Sequence, residues 1–324
     1  MKHVLLTLGA LALTPAATAS FAQDSDPMEL SAETWGEVPP DGPFSGSRDE
    51  VTLAAQIMLA RVDHSPGVID GYPGGNTQRA LSAFQKAQGL DDDGQLDEDS
   101  LKALRKAAGD GPLLQRYAIE ASDVDGPYKS VAGSMKAMGE GGHVGYGSAS
   151  EELAEKFGMS ESFLKALNPD ASFAAGEEIL VVAGINDALP KVAKIEVDGG
   201  ENELRAYDSS GNLVASFPAT VGSDEFPSPS GEMSVAAIAP EANYTFDPSD
   251  QEWGGDETLV IAPGPNNPIG GIWIDLGKEG YGIHGSPDPA LIGKTSSHGC
   301  VRLTNWDARA LIEAVSTDTE VIFV

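Results

Sequence analysis

The sequence predicts a multidomain protein: a three-helix domain and a small α/β module precede a mainly β domain, of sandwich or barrel type, with one late helix. Between residues 51 and 104 apolar residues recur every three or four positions, which is the spacing of amphipathic helices. From Lys194 onward apolar residues alternate with polar ones, which is the period of half-buried strands. The 324 residues are enough for two or three such domains.

The first 22 residues have the composition of a secretory signal peptide. A short basic start at Met1–His3 precedes a mostly apolar stretch from Val4 to Leu13 and then small residues up to Ala22. This apolar core is too short to span a bilayer. We therefore expect cleavage after Ala22, a periplasmic mature protein and no transmembrane segment. Residues 23–46 are polar and rich in Pro, Gly, Asp and Glu, which predicts a linker.

The charge of the chain restricts its partners. The net charge is −30 at pH 7, and acidic residues are spread along most of the sequence. Nucleic acids and anionic lipids attract cationic surfaces, so this charge argues against either as a partner. The distribution indicates a strongly solvated surface.

The three-helix domain is predicted over residues 47–110. Ser47-x-x-Glu50 has the form of a capping box at the start of the first helix. Thr77 and Asp97 can cap the second and third helices, and Gly89 can end the second.

Two runs in this domain carry a family resemblance. They are Asn76-Thr77-Gln78-Arg79-Ala80-Leu81-x-x-Phe84-Gln85-x-x-x-Gly89-Leu90 and Asp93-Gly94-Gln95-Leu96-Asp97. With them, residues 49–109 resemble the peptidoglycan-binding type 1 domain, although Tyr72-Pro73 interrupts the Asp-Gly-x-Phe-Gly turn usual in that family. The resemblance implies binding to wall glycan strands. The alternative is a helical spacer.

A second, smaller module is predicted over residues 144–184, after a linker at 111–143. Leu113–Ile119 in that linker is expected to be a short helix, and the Gly-rich stretch from Gly133 to Gly147 is expected to be flexible. Two short helices follow, the second capped by Ser160, and then a strand from Ile179 to Val182. The order Leu164-x-x-x-Asn168-Pro169, Gly and strand resembles the second half of a LysM module. The usual first strand of that family is missing.

The mainly β domain is predicted over residues 190–324. Its late helix is expected to begin at a cap on Asn305 and to run through Ala314, before a β-rich end at Glu320–Val324. The predicted strands are Ile195–Val197, Leu204–Tyr207, Leu213–Phe217, Met233–Ala237, Leu259–Ile261 and Ile272–Leu276.

Cys300, in the run Ser297-His298-Gly299-Cys300-Val301-Arg302-Leu303, is the only cysteine. A lone cysteine in an exported protein cannot form an internal disulfide, so it is either an inert buried thiol or a reactive one. His284 and His298, two of the five histidines, are close to it in sequence. Histidine is the usual base that generates a thiolate near neutral pH. The pattern predicts a cysteine acyl-transfer enzyme, with either histidine as the base.

Four motifs in order carry a second resemblance. They are Pro227-x-Pro229-x-Gly231, Gly280-Tyr281-Gly282-Ile283-His284-Gly285, Ile292-Gly293 and the run around Cys300. The domain resembles the L,D-transpeptidase catalytic domain, also called the YkuD domain. That resemblance implies that Cys300 is the nucleophile, held as a thiolate, and that His284 is the general base.

The remaining site residues follow from the same resemblance. It implies supporting roles for Ser297, His298 and Gly285. The N–H groups of Gly299 and Cys300 are expected to stabilise an oxyanion, and Arg302 is expected to pair with a substrate carboxylate. Tyr281 and Trp273 are expected to wall the donor groove, with core packing as the alternative for Trp273. No cofactor is implied.

The resemblance implies a peptidoglycan L,D-transpeptidase. The enzyme would attack the bond between residues three and four of a tetrapeptide stem and pass the acyl group to an amine, giving a 3-3 cross-link. Other acceptors in the family are a lysine of an outer-membrane lipoprotein, a free D-amino acid and water. Hydrolysis would make the protein an L,D-carboxypeptidase or amidase.

Two further alternatives stay open. A zinc site could use His284, His298 and Cys300, but no fourth ligand stands out. A non-catalytic wall-binding protein is disfavoured because the chain retains both cysteine and histidine.

Overall fold

The computed structural model describes residues 48–185, 188–223, 225–247 and 258–324. The predicted signal peptide and the linker at 23–46 lie outside these residues. Within the described ranges no helix is both long and apolar enough to cross a membrane. A helical part, a small α/β part and a mainly β domain with one late helix follow one another, which confirms the predicted fold class.

Three helices open the described part of the chain. Asp49 caps the first through the backbone N–H of the third residue after it, while the predicted capping residue Ser47 lies outside the described residues. The second begins before the predicted cap Thr77 and ends at Gly89, which has the positive φ of 69° typical of a helix C-cap. Asp97 caps the third helix as predicted. The helices are α1 (Glu50–Arg61), α2 (Gly75–Gln88) and α3 (Glu98–Ala108).

A two-stranded antiparallel sheet corrects the structure expected for residues 113–119. Instead of a helix, this segment forms β1 (Leu114–Ala118), which pairs along its whole length with β2 (Glu178–Val182). Five residues are too few for a clear period, so this distant pairing decides the conformation. The strand expected to be missing from the small module is thus supplied from upstream. Between the two strands lie α4 (Met135–Gly139), α5 (Ala149–Lys156) and α6 (Glu161–Leu167).

One hydrophobic core joins the three helices to the α/β part. Leu53 and Phe84 from the helices belong to the same buried cluster as Leu114, Phe163 and Val181. The segment predicted as a linker at 111–143 contributes β1 to this core and carries α4, so it is not a simple connection. The domain boundaries remain predictions.

Two sheets enclose a second core in the mainly β domain. The sheet orders are β5-β4-β3-β13-β6 and β12-β11-β10-β7, and β8 pairs with β9 in a hairpin. The strands are β3 (Lys194–Asp198), β4 (Glu203–Tyr207), β5 (Leu213–Pro218), β6 (Gly231–Ser234), β7 (Ala237–Ala239), β8 (Tyr244–Phe246), β9 (Leu259–Ile261), β10 (Trp273–Asp275), β11 (Gly282–His284), β12 (Val301–Arg302) and β13 (Glu320–Phe323).

The single strand predicted over Met233–Ala237 is two strands, because the chain changes sheets there. The N–H of Val235 donates to Thr319 beside the first sheet, and the N–H of Ala236 donates to Asp275 in the second. These two bonds divide β6 from β7.

The late helix α7 (Asn305–Ala314) begins one residue earlier than predicted. Thr304, not Asn305, is the cap, since its hydroxyl oxygen accepts the N–H of Asp307 at 3.2 Å. The Asn305 side chain is buried and bonds elsewhere.

The N-terminal part docks directly on the mainly β domain. His64 Nδ1 lies 2.9 Å from Ser216 Oγ, and Asn76 Nδ2 donates to the carbonyl of Ile292 at 2.9 Å. The stretch expected to be a flexible connection also packs there, since the carbonyl of Val144 accepts the N–H of Asn266 at 2.9 Å. The two parts are held by these contacts rather than joined by a loose tether.

Candidate active site

The three strands β10, β11 and β12 present two chemically different faces. Ile274, Ile283 and Val301 point into the core and are fully buried. Side chains alternate along a strand, so their neighbours point to the other face. Trp273 is opposite His284, and His284 is opposite Arg302 in the parallel pair of β11 and β12. The pairing therefore brings the indole, the imidazole and the guanidinium together on one face.

Cys300 lies just before β12, at the end of a tight turn. The strand begins only at Val301, and Gly299 has a φ of 116°, in the region that favours glycine. Ser297 fixes this turn: its Oγ donates to the carbonyl of Cys300 at 2.6 Å and accepts the N–H of Gly299 at 3.0 Å. The alternation of β12 therefore does not extend back through Ser297–Cys300. These two bonds are the contacts through which Ser297 could support Cys300, as predicted.

The Cys300 thiol is half-buried and hydrogen-bonded to the backbone. Its Sγ donates to the carbonyl of Gly280 at 3.2 Å. Burial raises the pKa of the thiol, while the N–H of Gly282 and the charge of Arg302 act in the opposite direction. Burial is the larger effect, so the resting group is a thiol.

The His284 ring is fixed in one tautomer. Its Nδ1 lies 2.7 Å from the carbonyl of Gly285, so Nδ1 must carry the proton and Nε2 keeps its lone pair. The indole of Trp273 stacks on the ring at a centroid distance of 5.7 Å and an interplanar angle of 21°. Burial and the nearby Arg302 lower the pKa of His284 to about 4, against the bond to Gly285. A buried neutral imidazole with Nε2 unprotonated is equipped to accept a proton.

His284 pairs with Arg302 on β12, and Cys300 lies two residues before Arg302, in the turn that leads into this strand. The charge of Arg302 acts on both the Cys300 thiol and the His284 ring, so both lie near its guanidinium. Among the described residues no thiol–imidazole hydrogen bond is formed, because the thiol donates to Gly280. The two pKa shifts are opposite in direction, and each favours the uncharged form of its group in the absence of substrate.

Arg302 lies beside both Cys300 and His284, and one nitrogen of its guanidinium makes no hydrogen bond among the described residues. Its charge lowers the pKa of Cys300 and of His284. Its buried Nε has no hydrogen-bond partner among the described residues. A guanidinium beside the two groups could donate paired N–H···O bonds to a carboxylate bound next to them.

Two aromatic side chains lie directly over glycines of the site. A Cβ on Gly282 would be 2.4 Å from Cζ2 of Trp273, and one on Gly299 would be 2.7 Å from Cε1 of Tyr281. Both rings are half-buried. Trp273 therefore packs on the site itself rather than in the core, and Tyr281 covers the turn before Cys300.

The predicted oxyanion donors have different environments. The N–H of Gly299 already donates to Ser297, so it is not free in this structure. Gly285 contributes its carbonyl, which accepts from His284. The N–H of Cys300 remains the candidate donor.

His298 lies away from the other site residues. Its exposed ring is 4.5 Å from that of Phe226, measured between centroids. In the part of the chain that the structure describes, no three His, Cys, Asp or Glu side chains converge in a way that could hold a metal ion.

Several contacts of the site involve residues that the sequence analysis gave no role. Ser228, the residue between the two prolines of the motif Pro227-x-Pro229-x-Gly231, donates from Oγ to the carbonyl of Gly299 at 2.9 Å. Gly280 and Gly282 were visible as a Gly-x-Gly pair, which could have indicated a close backbone approach. Asn305 was expected only to cap the late helix, so its contacts beside the site could not be anticipated from the sequence.

Family comparisons agree with both resemblances. Residues 193–323 match the L,D-transpeptidase catalytic domain, YkuD, and residues 48–104 match a putative peptidoglycan binding domain. The chain is 28% identical to a putative L,D-transpeptidase YkuD of Bacillus licheniformis and 29% identical to that of Bacillus subtilis. These matches cover 54% and 55% of this chain and 93% and 94% of the relatives.

The Bacillus similarity extends upstream of the catalytic match. The match to the catalytic domain spans residues 193–323 and ends one residue before the C-terminus. The alignment with the Bacillus licheniformis protein covers 54% of this chain, which is a longer stretch. The aligned stretch must therefore reach back to about residue 150, which includes helix α5. Among solved structures, an L,D-transpeptidase from Xylanimonas cellulosilytica shares 17% identity with a TM-score of 0.39, covering 91% of this chain and 100% of the other.

Proposed function

We propose that this protein, a member of the L,D-transpeptidase family, cross-links peptidoglycan through a thioester formed on Cys300. The observation that carries the proposal is the position of Arg302, whose charge acts on both the Cys300 thiol and the His284 ring, with Nε2 of His284 unprotonated. Acyl transfer needs a nucleophile, a base and a means of orienting the substrate, and these groups supply them.

The first half of the reaction forms the thioester. The thiol turns from the Gly280 carbonyl, passes its proton to Nε2 of His284 and attacks the carbonyl carbon between residues three and four of the stem peptide. The Cys300 N–H stabilises the oxyanion. When the C–N bond breaks, the imidazolium gives its proton to the departing amine of the fourth residue.

The second half transfers the acyl group. An acceptor amine attacks the thioester carbonyl, the C–S bond breaks, and the amine proton passes through His284 to the sulfur. A thioester reacts readily with amines relative to water, which favours transfer over hydrolysis.

Arg302 orients the donor stem. Its guanidinium can bind a stem carboxylate through parallel N–H···O bonds. Tyr281 and Trp273 supply apolar walls over the glycines beside Cys300.

The side-chain amine of the third residue in a neighbouring stem is the proposed acceptor, giving a 3-3 cross-link. A lysine of an outer-membrane lipoprotein, a D-amino acid or water would use the same thioester. The putative peptidoglycan binding domain at 48–104 supports contact with the wall. Action outside the cytoplasm, after removal of the signal peptide at 1–22, is part of the proposal.

Purified tetrapeptide muropeptides test this function, with products analysed by mass spectrometry. Cross-linking gives dimers that retain one tripeptide donor stem. Only shortened monomers would show that water is the acceptor and would make the protein a carboxypeptidase. Unchanged substrate with the wild-type protein, in the presence of several stem chemistries, would contradict the proposal.

A further inference from the structure

Asn305 holds the backbone that immediately follows His284. Its Oδ1 accepts the N–H of Ser286 at 2.9 Å. A Cβ on Gly285 would lie 2.4 Å from the same oxygen, so the amide sits directly against this backbone. The carbonyl of Gly285 in turn accepts from His284 Nδ1 at 2.7 Å. The position of the imidazole therefore depends on where the Asn305 amide is held.

A carboxylate from outside the catalytic domain holds that amide. Asn305 Nδ2 donates to Glu155 Oε2 at 2.9 Å and to the carbonyl of Pro265 at 3.1 Å. Glu155 is on helix α5, upstream of the residues that match the catalytic family. Two donors and one acceptor of the amide are engaged, which fixes its orientation.

Glu155 is itself held from two other sides. Tyr146 donates its hydroxyl to Oε1 at 2.9 Å, and the guanidinium of Arg309 lies 3.6 Å from the same oxygen. The carboxylate side chain is only 13% exposed. Its position is therefore set jointly by the α/β part and by helix α7, and a change in docking would displace it.

We propose that Glu155 is a positioning residue for His284, acting through Asn305 and the Gly285–Ser286 backbone. The inference rests on the proposed role of His284 as the base. It makes the N-terminal part a component of the active-site scaffold and not only a wall-binding attachment. Correct docking of α5 places the acceptor for Asn305, and that in turn aligns the imidazole for the chemical step.

The test compares Glu155→Ala, Glu155→Gln and Glu152→Ala by the rate of muropeptide turnover. Glu152 is a matched control, a carboxylate on the same helix that bonds to Tyr128 at 2.6 Å and not to the catalytic domain. We expect Glu155→Ala to lower kcat about tenfold or more with KM little changed, as loss of a supporting partner does at comparable sites. Glu155→Gln keeps an acceptor oxygen, so most activity should return.

Two further measurements distinguish a loss of positioning from misfolding of the variant. They are the thermal unfolding temperature and the fraction of the enzyme that is finally acylated. The rate should fall while the acylatable fraction stays near that of the wild type. In a His284→Ala background, Glu155→Ala should have no further effect, because the group that it positions is absent.

Two failures are distinguishable. If His284→Ala acylates at the wild-type rate, the proposed base is wrong. If His284→Ala is slow but Glu155→Ala behaves like Glu152→Ala, or slows the His284→Ala variant further, only the positioning inference is overturned.

Discussion

At the scale of single residues, burial favours the uncharged forms of the two proposed catalytic residues. Cys300 and His284 are shifted in opposite directions, and each shift favours the uncharged form. A pair of this kind differs from a preformed thiolate–imidazolium, in which a low thiol pKa supplies the nucleophile.

The ionisation of Cys300 gives the first prediction. Because burial raises the thiol pKa, absorbance of the thiolate in the far ultraviolet should be absent at pH 7 and should appear only above the ordinary thiol range of about 8.5. Alkylation by iodoacetamide should follow the same curve, with Cys300→Ala as the blank. A thiolate signal already present at pH 6 would contradict the neutral pair.

The pH dependence of kcat/KM gives the second prediction. The base must be unprotonated, and the pKa of His284 is lowered to about 4, so activity should be level from neutral pH to about 5 and fall as the pH drops through 4. Circular dichroism across the range is the control. The folded pKa is below the unfolded value of about 6.5, so the stability that His284 contributes is complete above 6.5 and is lost as the pH falls toward 4. An acid limb near 6.5 in folded enzyme would contradict this assignment.

At the scale of elements, strand pairing explains which parts of the site the sequence could predict. The periodicity of β3 to β5 and the motifs around His284 and Cys300 predicted the mainly β domain and its candidate residues. The local sequence could not predict β1, because the conformation of Leu114–Ala118 depends on partners that are at least 60 residues away in sequence. It also could not predict the use of Asn305, whose partners come from the segment that follows β11 and from α5.

The contact of β10 with β11 gives the third prediction. Gly282→Ala would place a methyl group against the Trp273 indole and displace the ring that stacks on His284, so we expect about a tenfold loss of turnover. In a Trp273→Ala background the same substitution should cost little, since the three atoms nearest to the added methyl group all belong to the indole. An equal loss in both backgrounds would show that the indole is not the cause.

At the scale of the whole molecule, the N-terminal part and the catalytic domain support each other. Helices α1 to α3 share a core with β1 and β2, and His64 and Asn76 bond to the mainly β domain. A tethered wall-binding domain would leave turnover of soluble substrates unchanged when removed. The docked arrangement instead predicts that removal of the N-terminal part destabilises the mainly β domain.

Deletion of residues 48–109 tests this fourth prediction. Loss of several buried large side chains should lower the melting temperature by at least about 10 °C and reduce turnover of soluble muropeptides. Asn76→Ala, which removes one docking hydrogen bond, is the matched control and should shift the melting temperature only slightly. If the protein without residues 48–109 has the melting temperature and the turnover rate of the full chain, the two parts are independent. Residues 48–109 would then be a tethered domain without a structural role in catalysis.

Intact-protein mass spectrometry of the acyl-enzyme tests the central claim most directly. With a tetrapeptide muropeptide or a carbapenem, which acylates cysteine transpeptidases of this family, the wild-type mass should rise by one acyl group mapped to the peptide containing Cys300. Cys300→Ala should gain none. His284→Ala should be slower by roughly 10²–10⁴-fold, and His298→Ala should be affected far less. An adduct of the same size and rate on Cys300→Ala would place the nucleophile elsewhere and contradict the mechanism.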